Sequence, residues 1–190
     1  MIPASIVRAL RDPAPVEGDF TPTTFCPAAT KAWFAVHYLR FVSSDFPKHQ
    51  FTDRFYRQLM HTFGHIAHFD KLGFWTEFFT TAAGKVEFLA QTVQWPCHGQ
   101  PAHTWCDVER AIIRRLRQTD LLGIYRQKLR HDREAAERAE FARLKAKYDG
   151  EQPAVDRGVL RTVLAPSATL GARRTGARGG AAEQLALGLG

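Results

Sequence analysis

Residues 26–42, CPAATKAWFAVHYLRFV, decide the fold of this chain. Pro27 suits a first helical turn, because the N–H that it lacks would have no partner there. Apolar side chains then cover most of the helix surface. They are Trp33, Phe34, Val36, Tyr38, Leu39, Phe41 and Val42. A helix that is apolar nearly all round must be buried, so we expect other helices to pack around it and His37 to be a packed core histidine.

Further helices are predicted where apolar side chains recur at helical spacing. Thr52 or Asp53 is placed to cap the second helix, and Gly73 is predicted to form a turn after it. The second helix is predicted at residues 52–68 and the third from 80 or 81 to 94. The fourth begins at 104, and the helix restarts at 119–120 and continues to 148. Because the β-strand signal is weak throughout, we predict a mainly α fold. It is a compact four- to five-helix domain with a projecting charged C-terminal helix and a disordered tail.

Four segments differ in composition. Residues 1–25 are rich in Pro and Thr and are predicted to be an extended arm, with a short helix at Ser5–Arg11. Residues 26–125 are predicted to form the helical core domain, and residues 126–149 a charged projecting helix. Residues 150–190 are rich in Gly, Ala and Arg, so we expect a disordered basic tail with a docking peptide at its end.

The positive charge of the chain is concentrated in one segment. Residues 109–149 hold 12 of the 26 Lys and Arg residues but 7 of the 19 acidic ones, and the whole chain has a formal net charge of +7. A localised basic surface attracts polyanions such as nucleic acid. Three cysteines are not a disulfide scaffold. Since no apolar run is long enough for a signal peptide or a membrane span, we expect a soluble, cytoplasmic bacterial protein without a membrane partner.

The stretch HTFGHIAHFDKLGFW carries three of the eight histidines within eight residues. On a helix, His65 projects about 40° and His68 about −20° from His61, opposite the apolar residues of the same segment. Arg54 and Arg57 share this stripe. Arg and His side chains donate to phosphate oxygens, so the stripe predicts a nucleic-acid-binding face. A solvated helix face is the alternative.

A metal site is another interpretation of these histidines. Imidazoles at positions i and i+4, here His61 and His65, can bind one zinc ion. Further ligands are available at Asp70, Cys97, His98, His103 and Cys106. No Glu follows the first histidine as in H-E-x-x-H, and the neighbouring arginines repel a cation. We therefore expect no cofactor, with a Zn-dependent enzyme as the alternative.

A second basic stripe is predicted on the helix that begins at Thr104. Arg114 projects about 40° and Arg117 about −20° from Arg110, whereas the apolar residues project on the far side and Arg115 lies off the row. Arginine presents a planar fork that matches phosphate oxygens. The row therefore predicts nucleic-acid contacts that are independent of base sequence and weaken with salt.

Two short segments resemble sequences of known protein groups. The end of the chain carries Gln184, Leu185, Leu187 and Leu189. These residues resemble the peptide, Gln-x-x-Leu-x-Phe or Gln-Leu-x-Leu-Phe, with which bacterial DNA polymerases and repair factors bind the sliding clamp, with leucine replacing the final aromatic residue. This resemblance implies recruitment to the clamp. The phrase F-G-x-I-A-H-x-D-x-x-G-F at 63–74 resembles small uncharacterised proteins of bacterial plasmids and phages, and implies no activity.

No catalytic set is evident in the sequence. Cys26, Cys97 and Cys106 are each a candidate nucleophile with a histidine partner, but such pairing is spatial and has no sequence signature here. The patterns favour a non-enzymatic, nucleic-acid-associated accessory protein of a bacterial mobile element that is recruited to the clamp. The alternatives are the metal-dependent enzyme and a helical module that binds another protein through residues 120–148. The oligomeric state is left open.

Overall fold

The computed structural model of the protein describes residues 2–66, 70–94 and 97–149. As predicted, this part of the chain is mainly α, with seven α-helices and no β-sheet. The helices are α1 (Ala4–Arg11), α2 (Ala28–Ser43), α3 (Asp53–Thr62), α4 (Lys71–Phe79), α5 (Ala82–Gln94), α6 (Cys106–Gln118) and α7 (Leu121–Asp149). Short 3-10 helices lie at Glu17–Asp19 and Lys48–Gln50. No helix within the described ranges is both long and apolar enough to cross a membrane.

Helix α2 is the central helix, and the predicted burial of its apolar residues is confirmed. It packs against α1, α3 and α6, and Phe34, Tyr38 and Phe41 are fully buried. Burying one such side chain contributes about 1.5–3 kcal/mol relative to leaving it in water. His37 is half-buried, and its ring packs on the Trp33 indole with centroids 4.1 Å apart. This histidine therefore packs at the edge of the core.

Aromatic rings fill the core between α2, α4 and α5. Phe79 of α4 packs edge-to-face on Phe41 of α2, with ring centroids 5.1 Å apart, and on Phe88 of α5 at 5.0 Å. Phe46, from the loop after α2, stacks on Phe79 at 5.1 Å. Aromatic pairs at such separations add about 0.5–1.5 kcal/mol each to the free energy of burial. The ring cluster therefore holds α4 and α5 against α2.

Helix α3 is shorter than predicted. Thr52 caps it as expected, accepting a hydrogen bond of 3.2 Å from a first-turn N–H. The helix ends at Thr62, and Gly64 directly follows the C-cap residue Phe63. A Cβ on Gly64 would lie 2.9 Å from the Met60 carbonyl oxygen, so the chain turns at a position that only glycine fits. The predicted continuation of this helix past residue 62 is therefore wrong.

Gly73 lies inside α4, so the turn predicted at this residue is wrong. Asp70 caps α4, since its carboxylate accepts a hydrogen bond of 2.7 Å from the Gly73 N–H. Helix α1 forms at Ala4–Arg11, where a short helix was predicted at Ser5–Arg11. The prediction was a compact domain of four or five helices with a projecting C-terminal helix, and the described part of the chain has seven α-helices.

Helices α5, α6 and α7 form close to their predicted positions. Helix α6 begins at Cys106, two residues after the predicted start at Thr104. Asp120 separates α6 from α7 with a positive φ of 45°, and its carboxylate accepts a hydrogen bond of 3.2 Å from the Gly123 N–H. The restart predicted at 119–120 is therefore confirmed.

The later part of α7 is charged and exposed. From residue 130 to 149 every described side chain lies in solvent. Glu140 and Arg143 form an ion pair of 2.7 Å, and such exposed pairs contribute at most about 1 kcal/mol. Residues up to Lys145 belong to one compact unit of the chain, and residues 146–149 to a second unit.

A buried lysine joins three parts of the chain. Lys31 of α2 is fully buried, and its Nζ lies 3.0 Å from each carboxylate oxygen of Asp107 in α6. Nζ also donates to the carbonyl oxygens of Pro101, at 3.0 Å, and Thr104, at 3.1 Å, in the segment before α6. Asp107 in turn accepts a hydrogen bond of 3.0 Å from the Thr21 N–H. The charge of Lys31 is thus compensated inside the fold.

Lys31→Met is expected to lower the free energy of unfolding by about 3–5 kcal/mol, because it leaves the largely buried Asp107 carboxylate without its cation. Urea denaturation followed by circular dichroism measures the change. Lys48→Met is the control, since Lys48 is exposed and its replacement should alter stability by no more than about 0.5 kcal/mol. A similar small effect for both variants would contradict the structural role of the buried pair.

Candidate nucleic-acid interface

Helix α3 presents a basic face to solvent. Arg54, Arg57 and His61 are exposed along one side of the helix. Phe55 and Leu59, on the other side, are buried at 1% and 0% exposure. The division of this helix into a basic and an apolar side is the one that the sequence predicts.

His61 and His65 do not share the predicted stripe. His61 lies on α3, whereas His65 lies in the turn after the helix, where its Nε2 is 3.5 Å from the Gln91 carbonyl oxygen of α5. His68 lies outside the described residues. A projection at about 100° per residue holds only within a helix, so the early end of α3 removes His65 from the row.

Arg54 is held on an aromatic ring. Its guanidinium carbon lies 3.9 Å from the centroid of the Trp33 indole in α2, a cation–π contact worth about 0.5–1 kcal/mol at an exposed site. Within the described ranges, no hydrogen bond or ion pair engages this guanidinium. Its N–H groups are therefore available to a ligand.

A cleft of about 450 Å³ opens beside His61. Its walls come from α3, from the segment before α6 and from the N-terminal segment, and they include Phe25, Cys26, Gln58, His61, His103, Thr104 and Trp105. None of the residues that line it is acidic. The His61 ring lies nearly parallel to the Trp105 indole, at 19° and with centroids 6.1 Å apart. We refer to this cavity as the Phe25 cleft.

Phe25 is 96% exposed and lines this cleft from the tip of a tight turn. Two backbone hydrogen bonds close the turn, from the Thr23 N–H to the Cys26 carbonyl oxygen at 2.9 Å and from the Cys26 N–H to the Thr23 carbonyl oxygen at 3.3 Å. The turn thus holds the Phe25 ring in solvent at the cleft that the His61 and Trp105 rings also line. Phe25 was not predicted as a site residue from the sequence. The signal that could have indicated it is an aromatic residue in a segment rich in Pro and Thr.

Two arginines of the predicted row on α6 line a second cavity. Arg110 and Arg114 face it across from residues 13–20, and its volume is about 580 Å³. Arg114 has no hydrogen bond or ion pair with any described residue. Arg117 is directed elsewhere, since it donates a hydrogen bond of 2.6 Å to the Val93 carbonyl oxygen. The predicted row is therefore split, with two of its three members in one concave site.

Arg115, which the sequence places off the row, holds the opposite wall of this second cavity. Its guanidinium donates to the carbonyl oxygens of Asp12, at 3.1 Å, and Pro13, at 2.7 Å, in the N-terminal segment. No local pattern indicates this role, because these partners lie 103 and 102 positions away. Asp19 and Asp107 also line the cavity and compensate part of its positive charge.

The residues considered as metal ligands are spread over the fold. Asp70 caps α4, His65 lies near α5, and His98 is exposed in the segment before α6. His61 and His103 both line the Phe25 cleft. In the part of the chain that the structure describes, no group of three or more His, Cys, Asp or Glu side chains is arranged to hold a metal ion.

The three cysteines differ in burial, since one is buried and two are half-buried. Cys106 is buried and donates its thiol to the Gly99 carbonyl oxygen at 2.8 Å. The Cys97 N–H donates a hydrogen bond of 3.1 Å to the carboxylate of Glu109, which is 2% exposed. Burial raises the pKa of Glu109 to about 7, against the lowering effect of its hydrogen bonds with Cys97. Burial also raises the pKa of the Cys26 thiol in the Phe25 cleft, which makes its thiolate scarce.

No family model matches the chain, and neither a curated protein nor a solved structure matches it significantly. The function of the two cavities is therefore inferred from their own residues. Both combine exposed arginine or histidine side chains with a concave surface, and the Phe25 cleft adds the aromatic side chains of Phe25 and Trp105.

The buried Glu109 carboxyl is expected to make stability depend on pH. Its pKa rises from 4.5 to about 7 on folding, so the folded protein holds this proton more tightly than the unfolded chain. The stability that this group contributes is fully present below about pH 4.5 and is lost as the pH rises through about 7. Glu109→Gln removes the effect, because an amide has no proton to release.

Thermal unfolding between about pH 5 and pH 8 measures this difference. The fall in Tm over this range should be smaller in Glu109→Gln than in the wild type. Glu77→Gln is the matched control, since Glu77 is exposed on α4. An equal pH dependence of Tm in all three proteins would contradict the assignment of this pH dependence to the buried Glu109 carboxyl.

Proposed function

We propose that the protein is a non-enzymatic, nucleic-acid-associated protein that binds phosphate groups through the basic face of α3. The observation that carries this proposal is the seating of two exposed donors on aromatic rings, Arg54 on Trp33 and His61 beside Trp105. Because the rings restrict these side chains, less conformational entropy is lost when they bind a ligand. Arginine then offers paired N–H···O bonds to phosphate oxygens.

The cavity on α6 supplies a second set of donors for the same purpose. Arg110 and Arg114 share its concave surface, and Arg114 has no described partner that competes with a phosphate. Contacts of this kind follow charge and not base sequence, so affinity is non-specific and falls with salt. The formal net charge of +7 adds a long-range attraction to polyanions.

We further propose that the protein is an accessory factor of a bacterial mobile element, a plasmid or a phage, and acts in the cytoplasm. The support is the resemblance at 63–74, of which residues 67–69 lie outside the described residues. Recruitment to the sliding clamp is supported by the C-terminal motif alone. Its residues, Gln184, Leu185, Leu187 and Leu189, also lie outside the described residues.

Affinity for a single strand of about 20 nucleotides is expected to fall steeply between about 50 and 200 mM salt. Replacing Arg54 and Arg57 together by alanine removes two phosphate contacts. The slope of log affinity against log salt should then decrease in magnitude by about 1.4. Fluorescence anisotropy with a labelled strand measures both quantities.

Arg138→Ala combined with Arg143→Ala is the matched control. It removes the same charge from two arginines that are paired with glutamates on α7, so its salt slope should equal that of the wild type. Affinity that does not change with salt contradicts the proposed function. Equal salt slopes in the two double variants would show that the α3 face takes no part in the proposed phosphate binding.

Deletion of residues 184–190 is expected to abolish capture of the protein by an immobilised bacterial sliding clamp, because this segment carries the residues that resemble the clamp-binding peptide. A pull-down with the purified clamp measures the effect. The double substitution Gln184→Ala and Leu187→Ala keeps the chain length and should give the same loss. Capture that survives both changes would refute recruitment through this motif.

A further inference from the structure

The Phe25 cleft has the form of a site for a flat aromatic ligand. Phe25 is 96% exposed where it lines the cleft, and the Trp105 indole and His61 imidazole lie within 19° of parallel along its wall. Stacked or edge-to-face aromatic pairs gain about 0.5–1.5 kcal/mol beyond their burial. The volume of about 450 Å³ falls in the range of about 300–1,000 Å³ that is typical of small-ligand sites.

Polar groups line the same space. The Gln58 side chain has no hydrogen-bond partner among the described residues, and Thr23, Thr30 and His103 also line the cleft. A free amide offers two N–H donors and one carbonyl acceptor, the combination that pairs with the edge of a nucleobase. Aromatic faces together with a free amide therefore fit a nucleobase as ligand better than they fit a purely apolar ring.

The charge around the cleft favours a ligand with an anionic backbone. No acidic side chain lines the cleft. Arg54 and Arg57 precede Gln58 and His61 by four residues on α3, so the basic face leads along the helix to the cleft. The distance from Arg54 to His61 along the axis is about 10 Å, which is enough for one or two nucleotides. A strand whose phosphates contact the arginines thus brings a base to the cleft.

We propose that the Phe25 cleft binds one unstacked nucleobase of a single strand, with Phe25 as the stacking partner and Gln58 at the base edge. This inference rests on the proposed nucleic-acid binding and specifies the kind of nucleic acid. In a duplex the base faces are covered by their neighbours, whereas a single strand can turn a base outward onto an aromatic side chain.

The test compares Phe25→Ala with the wild type on three probes: a strand of about ten thymidines, the same strand without bases, and a duplex of the same length. Phe25→Ala is expected to lower affinity for the thymidine strand by about 5- to 140-fold, the loss of one stacked base. Affinity for the base-free strand and for the duplex should not change. The salt slope should also stay the same, because no charge is removed.

Two variants serve as controls. Phe141→Ala removes another exposed phenyl ring, 68% exposed on α7, and should leave affinity for the thymidine strand unchanged. Phe25→Trp keeps an aromatic face and should retain affinity near that of the wild type. Because Phe25 is in solvent, neither change at this position removes a core contact, and far-ultraviolet circular dichroism checks that the fold is intact.

The outcomes separate this site from the proposed function. Equal affinity of the wild type and Phe25→Ala for the thymidine strand, with salt-dependent binding intact, would overturn the base site and leave the proposed function standing. Failure of the wild type to bind any strand at about 50 mM salt would overturn both. Binding of thymidine monophosphate as tightly as the strand, with the same dependence on Phe25, would identify a free nucleotide as the ligand and overturn the assignment to a strand.

Discussion

The ion pair between Lys31 and Asp107 is the constraint on which the candidate interface depends. A buried ammonium is tolerated only when oxygen atoms of the protein replace its water shell. Two of these oxygens are the carbonyls of Pro101 and Thr104, in the segment that continues into Trp105. The Asp107 carboxylate also binds the Thr21 N–H, shortly before the Phe25 turn. Two walls of the Phe25 cleft are therefore anchored to the same buried charge.

Local sequence patterns predicted the helices wherever a cap and an apolar face agree. Thr52 caps α3 and the apolar side of α6 is buried, both as expected. The pattern failed at Gly73, whose low helix propensity costs about 1 kcal/mol. The Asp70 cap and the buried rings that follow in α4 outweigh this cost. The end of α3 was also missed, because a close approach of Gly64 to the preceding turn has no periodic signature.

For the candidate site, the sequence predicted the side of the helix on which each arginine lies but not the groups to which each arginine binds. A helical projection places Arg110, Arg114 and Arg117 away from the apolar side of α6, but it does not show that Arg117 binds the end of α5. Lys31 is a charged residue on a helix that is otherwise apolar nearly all round, which is a signal of a buried pair. Its partner Asp107 lies 76 positions away, so local spacing cannot identify it.

The arginines of the chain are not equally available to a ligand. On α7, Arg138 and Arg143 are compensated by glutamates one turn away. On α3 and α6, Arg54 and Arg114 form no ion pair with a described residue. Unpaired guanidinium groups on such surfaces bind phosphates and release the counterions of the nucleic acid, which is the source of salt-dependent affinity.

This distribution connects the two parts of the proposed function. Charge alone attracts single strands and duplexes alike, because both carry phosphates. The Phe25 cleft adds aromatic faces at the end of the α3 arginine face, and only a strand with accessible base faces can use them. In the proposed function the arginines bring the strand to the surface and the rings favour single strands over duplex. The proposed selectivity therefore depends on a side chain, Phe25, that carries no charge.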